Sequence, residues 1–344
     1  MADTPDRQLN HLLRDVARSF YLTLRVLPGS IRPQIGLAYL LARTTDTIAD
    51  TELVSLEQRL RSLQSLRERI LGVGATPLDF GELARHQGSP AERVLLETCE
   101  ASLTLLGNLS APDQQLIRDV LKTITSGQEL DLRRFARASA SRIVSLQTDQ
   151  DLEDYTCRVA GCVGEFWTKI CRAHVFPKAR LQDTVLLTNA VQFGKGLQLV
   201  NILRDLSTDL RKGRCYLAND RLTAIGLTPA DLLLPANESR LRPLFEEHLD
   251  RAKAYLSAGW LYTNLLPWRH ARVRLACAWP ILIGIKTIAR LRLANMLDPQ
   301  QRVKISRREV RQIIAESVLF YPLPNLWRNL SSLPVKEAGK AVAS

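Results

Sequence analysis

The sequence predicts an all-α protein, and three observations carry that prediction. Apolar residues recur at steps of three and four along most of the chain, the runs between Gly/Pro breaks are longer than strands, and alternating β-branched stretches are scarce. Leu53 to Leu71 shows the pattern plainly, with Leu56, Leu60, Leu63 and Leu66 on one helical face. The same periodicity predicts helices over about 8–24, 33–51, 91–107, 112–137, 150–174, 180–211, 239–265, 270–296 and 306–319. Turn chemistry separates them: Pro28-Gly29-Ser30, Gly72 to Pro77, Gly88-Ser89-Pro90, Ser110 to Pro112 and Pro177. No repeat of fixed period and no low-complexity linker divides the chain. The expected architecture is one all-α domain over 1–344, with an ordered core of about 8–330 and a frayed polar tail.

Composition narrows the function classes. With 344 residues, 46% of them hydrophobic, the chain can bury a large core. Lys and Arg number 47 against 35 Asp and Glu, a formal charge of +12 that favours a phosphorylated substrate, an acidic membrane surface or a nucleic acid. The N-terminus carries no apolar signal core, and the longest apolar stretch, Leu275 to Ile285, is about half of the ~20 residues a spanning helix needs. A cytoplasmic location without a transmembrane anchor is therefore expected. Six cysteines and five histidines form no CxxC pair and no cluster with zinc spacing, so the thiols are expected to be reduced and mostly buried.

Two helices carry a polar stripe. In Gly36 to Asp50, Tyr39, Arg43, Asp46 and Asp50 sit at offsets 0, +4, +7 and +11, one face at 3.6 residues per turn. In Gly196 to Asp209, Gln198, Asn201, Asp205 and Asp209 sit at 0, +3, +7 and +11. The remaining faces of both segments are largely apolar, as in a buried helix, so each stripe is expected to face an internal cavity. Taken alone, either Asp-x-x-x-Asp pair also reads as a solvated face or a salt-bridged helix end. Two such pairs in buried-type helices point instead to a shared cation site.

Two carboxylates ~4 Å apart repel by ~4 kcal/mol at an effective dielectric of 20. Four in one cavity need cations, and an oxygen-only donor set suits Mg²⁺ or Mn²⁺ rather than zinc. Mg²⁺ held by few carboxylates completes its shell with water and phosphate oxygens. Arg43 and Arg204, beside the aspartates, suit bidentate pairing with the same phosphate oxygens. A nucleic-acid partner is not expected: no recognised binding motif is present, and buried carboxylates without metal repel phosphates. A non-catalytic scaffold is disfavoured because all four aspartates are in place.

These segments resemble the squalene/phytoene synthase family of head-to-head prenyl transferases over about Leu9 to Leu319. Arg18-Ser19-Phe20-Tyr21 resembles its N-terminal Ser-Phe segment, YLLARTTDTIAD its first aspartate-rich region, YTCRVAGCVG its Tyr-containing helix, and LQLVNILRDLSTDLRKGRCYL its second aspartate-rich region. The resemblance implies an isoprenoid-synthase helical fold around a central cavity. It implies that Asp46, Asp50, Asp205 and Asp209 bind Mg²⁺ and the diphosphates of two prenyl substrates, while Arg18, Arg43 and Arg204 hold phosphate oxygens. Ser19, Phe20, Tyr39, Gln198 and Asn201 would line the substrate site, and Tyr155 would lie near the reacting carbons. Val163 is a candidate for the apolar wall with Phe166 and Cys277; ordinary core packing explains each of these as well. In the implied reaction one allylic diphosphate ionises, and the second substrate's double bond attacks the cation to give a cyclopropylcarbinyl diphosphate.

Three details lean toward squalene from farnesyl diphosphate, with NADPH as reductant. DTIAD has Thr in its second place, Cys277-Ala278-Trp279-Pro280 resembles the Cys-Ala-x-Pro segment of squalene synthases, and Val303-Lys304-Ile305 with Arg307-Arg308 resembles their basic stretch. Lys304, Arg307 and Arg308 are thus the candidates for a nicotinamide phosphate. The chain has no GxGxxG fingerprint and, unlike eukaryotic squalene synthases, ends in a polar tail. Phytoene, dehydrosqualene and presqualene diphosphate synthases remain the alternatives. The basic charge and oily product point to peripheral contact with the inner face of a membrane.

Overall fold

The computed structural model describes residues 12–17 and 20–332. Its helices follow the sequence periodicity closely: α1 Phe20–Val26, α2 Arg32–Asp50, α3 Leu56–Leu71, α4 Gly81–Arg85, α5 Pro90–Glu97, α6 Cys99–Gly107 and α7 Ala111–Arg134. After a short strand β1, Val144–Leu146, come α8 Asp149–Thr156, a π-helical turn Cys157–Gly161, α9 Cys162–His174 and α10 Asp183–Arg211. Strand β2, Arg214–Ala218, leads to α11 Asn219–Ala224, α12 Glu238–Leu265, α13 Ala271–Leu291, α14 Arg307–Phe320 and α15 Pro324–Asn329.

Local chemistry sets the boundaries. Ser55 and Ser110 accept hydrogen bonds from Gln58 N and Asp113 N at the starts of α3 and α7, and Ser306 and Glu309 form a capping box at α14. The expected helix over 91–107 is two helices. At the junction the Thr98 hydroxyl donates to the Val94 carbonyl at 2.7 Å, the back-bonding that bends helices.

One part of the buried core includes Leu40, Ile48, Leu66, Ile117 and Ile170, and a second includes Leu203, Leu249, Leu256 and Ile281. Phe193 and Val26 pack against both. The 29-residue α10 packs on α9, α12, α13 and β2, while α2 packs on α3, α6 and α7. Gly164 lies where α9 passes backbone to backbone over α10: a Cβ there would stand 1.9 Å from Ala190 O.

A two-stranded parallel ladder departs from the all-helical expectation, pairing Val144 with Arg214 and Ser145 with Cys215. Three residues of β1 are too few to show a period of two. The turn into β2 depends on Gly213, whose φ of 82° is left-handed and whose Cβ position would lie 2.4 Å from Ser139 N. That turn sends the chain back from the end of α10, bringing Arg214 and Tyr216 toward the aspartates.

Candidate active site

A cavity of about 230 Å³ lies among α2, α7, α9, α10 and α13, with a wall that is mainly apolar, including Ile35, Ile124, Phe166 and Pro280. Phe20, Tyr39, Val163, Gln198, Asn201 and Cys277 also line it, as the sequence suggested. Along α2 the lining ends at Ala42, and Arg43, Asp46 and Asp50 follow; along α10 it ends at Asn201, and Arg204, Asp205 and Asp209 follow. Both acid pairs therefore lie beyond the ends of the stripes that border the apolar cavity.

The charges there are only partly compensated. Gln128 donates to Asp46 Oδ1 at 2.5 Å, yet burial, reinforced by Asp50, pushes the Asp46 carboxyl up to about 6. Burial also raises Asp50, against the opposing pull of Arg214 and Arg43. Asp209 is pushed up to about 7 by burial and then by Asp205. Arg204 grips Asp205 with two bonds, Nε to Oδ1 at 2.9 Å and Nη2 to Oδ2 at 2.6 Å. Arg43 is ion-paired with Glu92. A cation between the two helices would relieve this excess of negative charge.

A fifth carboxylate was not singled out in the sequence. Asp131 on α7 is buried and pushed up to about 6 by burial, although Arg214 and Tyr216 oppose the shift. The Tyr216 hydroxyl donates toward both its oxygens at 3.1 Å, and Arg214 Nη1 lies 3.8 Å from Oδ2. Tyr155 stacks on Tyr216, with ring centroids 5.2 Å apart and planes 25° from parallel. Burial raises the Tyr155 phenol well above its ordinary value, and Asp131 adds to the shift. Arg214 and Tyr216 stand inside the second aspartate-rich segment, so their position in sequence was a signal. For Gln128 and Asp131 the signal was their three-residue spacing on α7.

Tyr39 stacks on Phe20 at 4.9 Å, and its hydroxyl donates to Val16 O at 3.3 Å. Arg18 and Ser19 lie outside the described residues. Lys304, Arg307 and Arg308 are exposed at and before the start of α14 and do not line the cavity. Among the described residues no three His, Cys, Asp or Glu side chains form a ready-made metal cluster. The all-carboxylate donors nevertheless suit Mg²⁺, which needs few protein ligands when phosphate and water complete its shell.

The family model for squalene/phytoene synthase matches residues 13–309. The chain is 30% identical over 251 residues to a presqualene diphosphate synthase of Rhodopseudomonas palustris, covering 73% of this chain and 76% of that one. It is also 30% identical over 248 residues to a bifunctional lycopene cyclase/phytoene synthase of Gibberella fujikuroi, covering 70% of this chain but only 40% of that protein. In fold it is similar to a squalene synthase solved from Alicyclobacillus acidocaldarius, with a TM-score of 0.61 and 21% identity over 85% of this chain and 94% of that one.

Proposed function

The chain belongs to the squalene/phytoene synthase family of head-to-head prenyl transferases, and from that membership we propose that it condenses two farnesyl diphosphates to presqualene diphosphate and reduces this to squalene with NADPH. The observation that carries the reading is the placement of two Asp pairs beyond the stripes bordering one apolar cavity. An isoprenoid chain is apolar with one highly charged end, and the site has matching halves.

Asp46 and Asp50 from α2, and Asp205 and Asp209 from α10, are the residues that would hold Mg²⁺ or Mn²⁺. Bound there, the metal would neutralise diphosphate oxygens and stabilise the departing group. Gln128 orients Asp46, Arg204 orients Asp205, and Arg214 offers a guanidinium beside Asp131. The cavity wall excludes water from the reacting carbons, protecting a carbocation from capture. Tyr155 does not line the apolar cavity and one face of its ring is stacked on Tyr216; in this reading its free face would stabilise such a cation and its hydroxyl would pass a proton.

Squalene is favoured by DTIAD and by Cys277-Ala278-Trp279-Pro280, whose Cys277 and Pro280 face the cavity. Lys304, Arg307 and Arg308 are the sequence-based candidates for NADPH. Similarity to a presqualene diphosphate synthase favours a second reading, in which reaction stops at the cyclopropyl stage. No helix among the described residues is long and apolar enough to cross a membrane. A cytoplasmic location with peripheral membrane contact is part of the proposal.

Product analysis with farnesyl diphosphate and Mg²⁺, with and without NADPH, tests the reading. Squalene with NADPH, and presqualene diphosphate with one inorganic diphosphate released without it, are the expected results. Presqualene diphosphate under both conditions supports the second reading; dehydrosqualene without NADPH overturns both. A parallel assay with geranylgeranyl diphosphate reads chain length, and preferential formation of phytoene rejects farnesyl diphosphate as the substrate.

A further inference from the structure

Arg214 also borders a second cavity, of about 340 Å³, formed where the end of α7 and the segment after it meet the turn into β2. It shares no lining residue with the apolar cavity. Its charge is opposite to that of the aspartate cluster: Arg59, Arg211, Lys212 and Arg214 line it, against one carboxylate, Glu52. Glu52 is already shared, with Arg214 Nη2 at 3.5 Å and Lys212 Nζ at 3.9 Å.

The direct ion pairs of Glu52 are with Arg214 and Lys212, not with Arg59 or Arg211. Both are held by backbone carbonyls, Arg59 Nη1 by Ala49 O at 3.0 Å and Arg211 Nη1 by Ser207 O at 2.5 Å. Arg59 Nε is buried with no acceptor. Burial, and then Arg214, lower the Arg59 pKa, and the opposing pull of Glu52 and Asp50 offsets this only in part. Gly213 presses the wall closely against Ser139, which limits how far the site can collapse on itself. Guanidinium groups fixed in place lose little freedom when they meet a planar or tetrahedral oxyanion. The aspartate pairs need a metal before they accept an anion, whereas this cavity does not.

We propose that this second cavity is a metal-independent oxyanion site for a phosphate or diphosphate group, separate from the aspartate pairs and linked to them through Arg214. It does not depend on which hydrocarbon the enzyme makes. Free inorganic diphosphate and the phosphate of a nucleotide share the required chemistry.

Calorimetric titration of the full chain with inorganic diphosphate in EDTA reads this site without the metal-dependent one. One binding event is expected, weakened at least tenfold in Arg59→Gln and in Arg211→Gln. Arg211 is exposed, so that variant serves if loss of the Arg59–Ala49 contact impairs folding. Competition with NADP⁺ and NAD⁺ separates the sources. Displacement by NADP⁺ alone identifies a nucleotide phosphate as a guest, displacement by neither identifies free diphosphate, and both support the site. Absence of binding in EDTA, or equal affinity in wild type and Arg211→Gln, overturns the proposal.

Discussion

Tyr155 lies stacked on Tyr216, ring centroids 5.2 Å apart, and Tyr216 in turn donates its hydroxyl to Asp131. The pair joins the helix before the π-turn to the strand after the second acid pair, so the position of Tyr155 depends on residues far from it in sequence. Tyr155→Phe removes the proton-carrying group and is expected to lower turnover at least 10²-fold. Tyr216→Phe keeps the stack but loses the bond to Asp131, and about a tenfold fall in kcat with little change in KM is expected. Steady-state kinetics check both; unchanged kcat in Tyr216→Phe would show that the Tyr216–Asp131 bond does not position Tyr155.

The aspartates make stability depend on pH and cations together. Asp46, Asp131 and Asp209 have pKa values raised to about 6, 6 and 7 in the folded protein, against an ordinary value of 3.8. Between those values the folded state keeps protons that the unfolded chain has released, so these groups lose stability as pH rises through 4 to 7. Mg²⁺ with inorganic diphosphate should therefore raise the melting temperature more at pH 8 than at pH 5. Equal shifts at the two pH values would count against cation binding by these carboxyls.

His248 supplies an opposite dependence. It is fully buried, neither ring nitrogen has a hydrogen-bond partner, and burial, followed by Arg251, depresses its pKa to about 4. Below pH 6.5 the unfolded chain takes up a proton that the folded protein refuses, so this group's contribution is lost as pH falls toward 4. The loss between pH 7.5 and 4 is on the order of 3 kcal/mol. His248→Gln is neutral throughout, and urea unfolding of the two proteins side by side isolates the effect. A constant stability difference between them across that range would refute it.

Much of this was legible from residue spacing. The stripes at Tyr39, Arg43, Asp46 and Asp50, and at Gln198, Asn201, Asp205 and Asp209, are helical-face patterns, and α2 and α10 are helices over those residues. Local spacing cannot show partners brought in by folding. Gln128 reaches Asp46 from 82 positions away, Tyr216 reaches Asp131 from 85, and Arg43 meets Glu92 from 49. The β1–β2 ladder was hidden for the same reason: its pairing spans about seventy residues, and neither strand is long enough to announce itself.

Replacing one carboxylate in each acid pair separates a metal-holding role from a purely structural one. Asp46→Asn and Asp205→Asn change no side-chain volume appreciably, and Asp46→Asn removes a buried charge that burial and Asp50 disfavour. Both should keep the wild-type circular dichroism; the metal-free melting temperature of Asp46→Asn should match or exceed that of the wild type, whereas Asp205→Asn, which loses one of its two bonds to Arg204, should melt slightly lower. The decisive measurement is release of inorganic diphosphate from farnesyl diphosphate with Mg²⁺, followed for wild type and both variants. Steady release by the wild type and at least about a 10³-fold loss in each variant are expected; near-normal release by either folded variant would show that the acid pairs do not hold the catalytic metal.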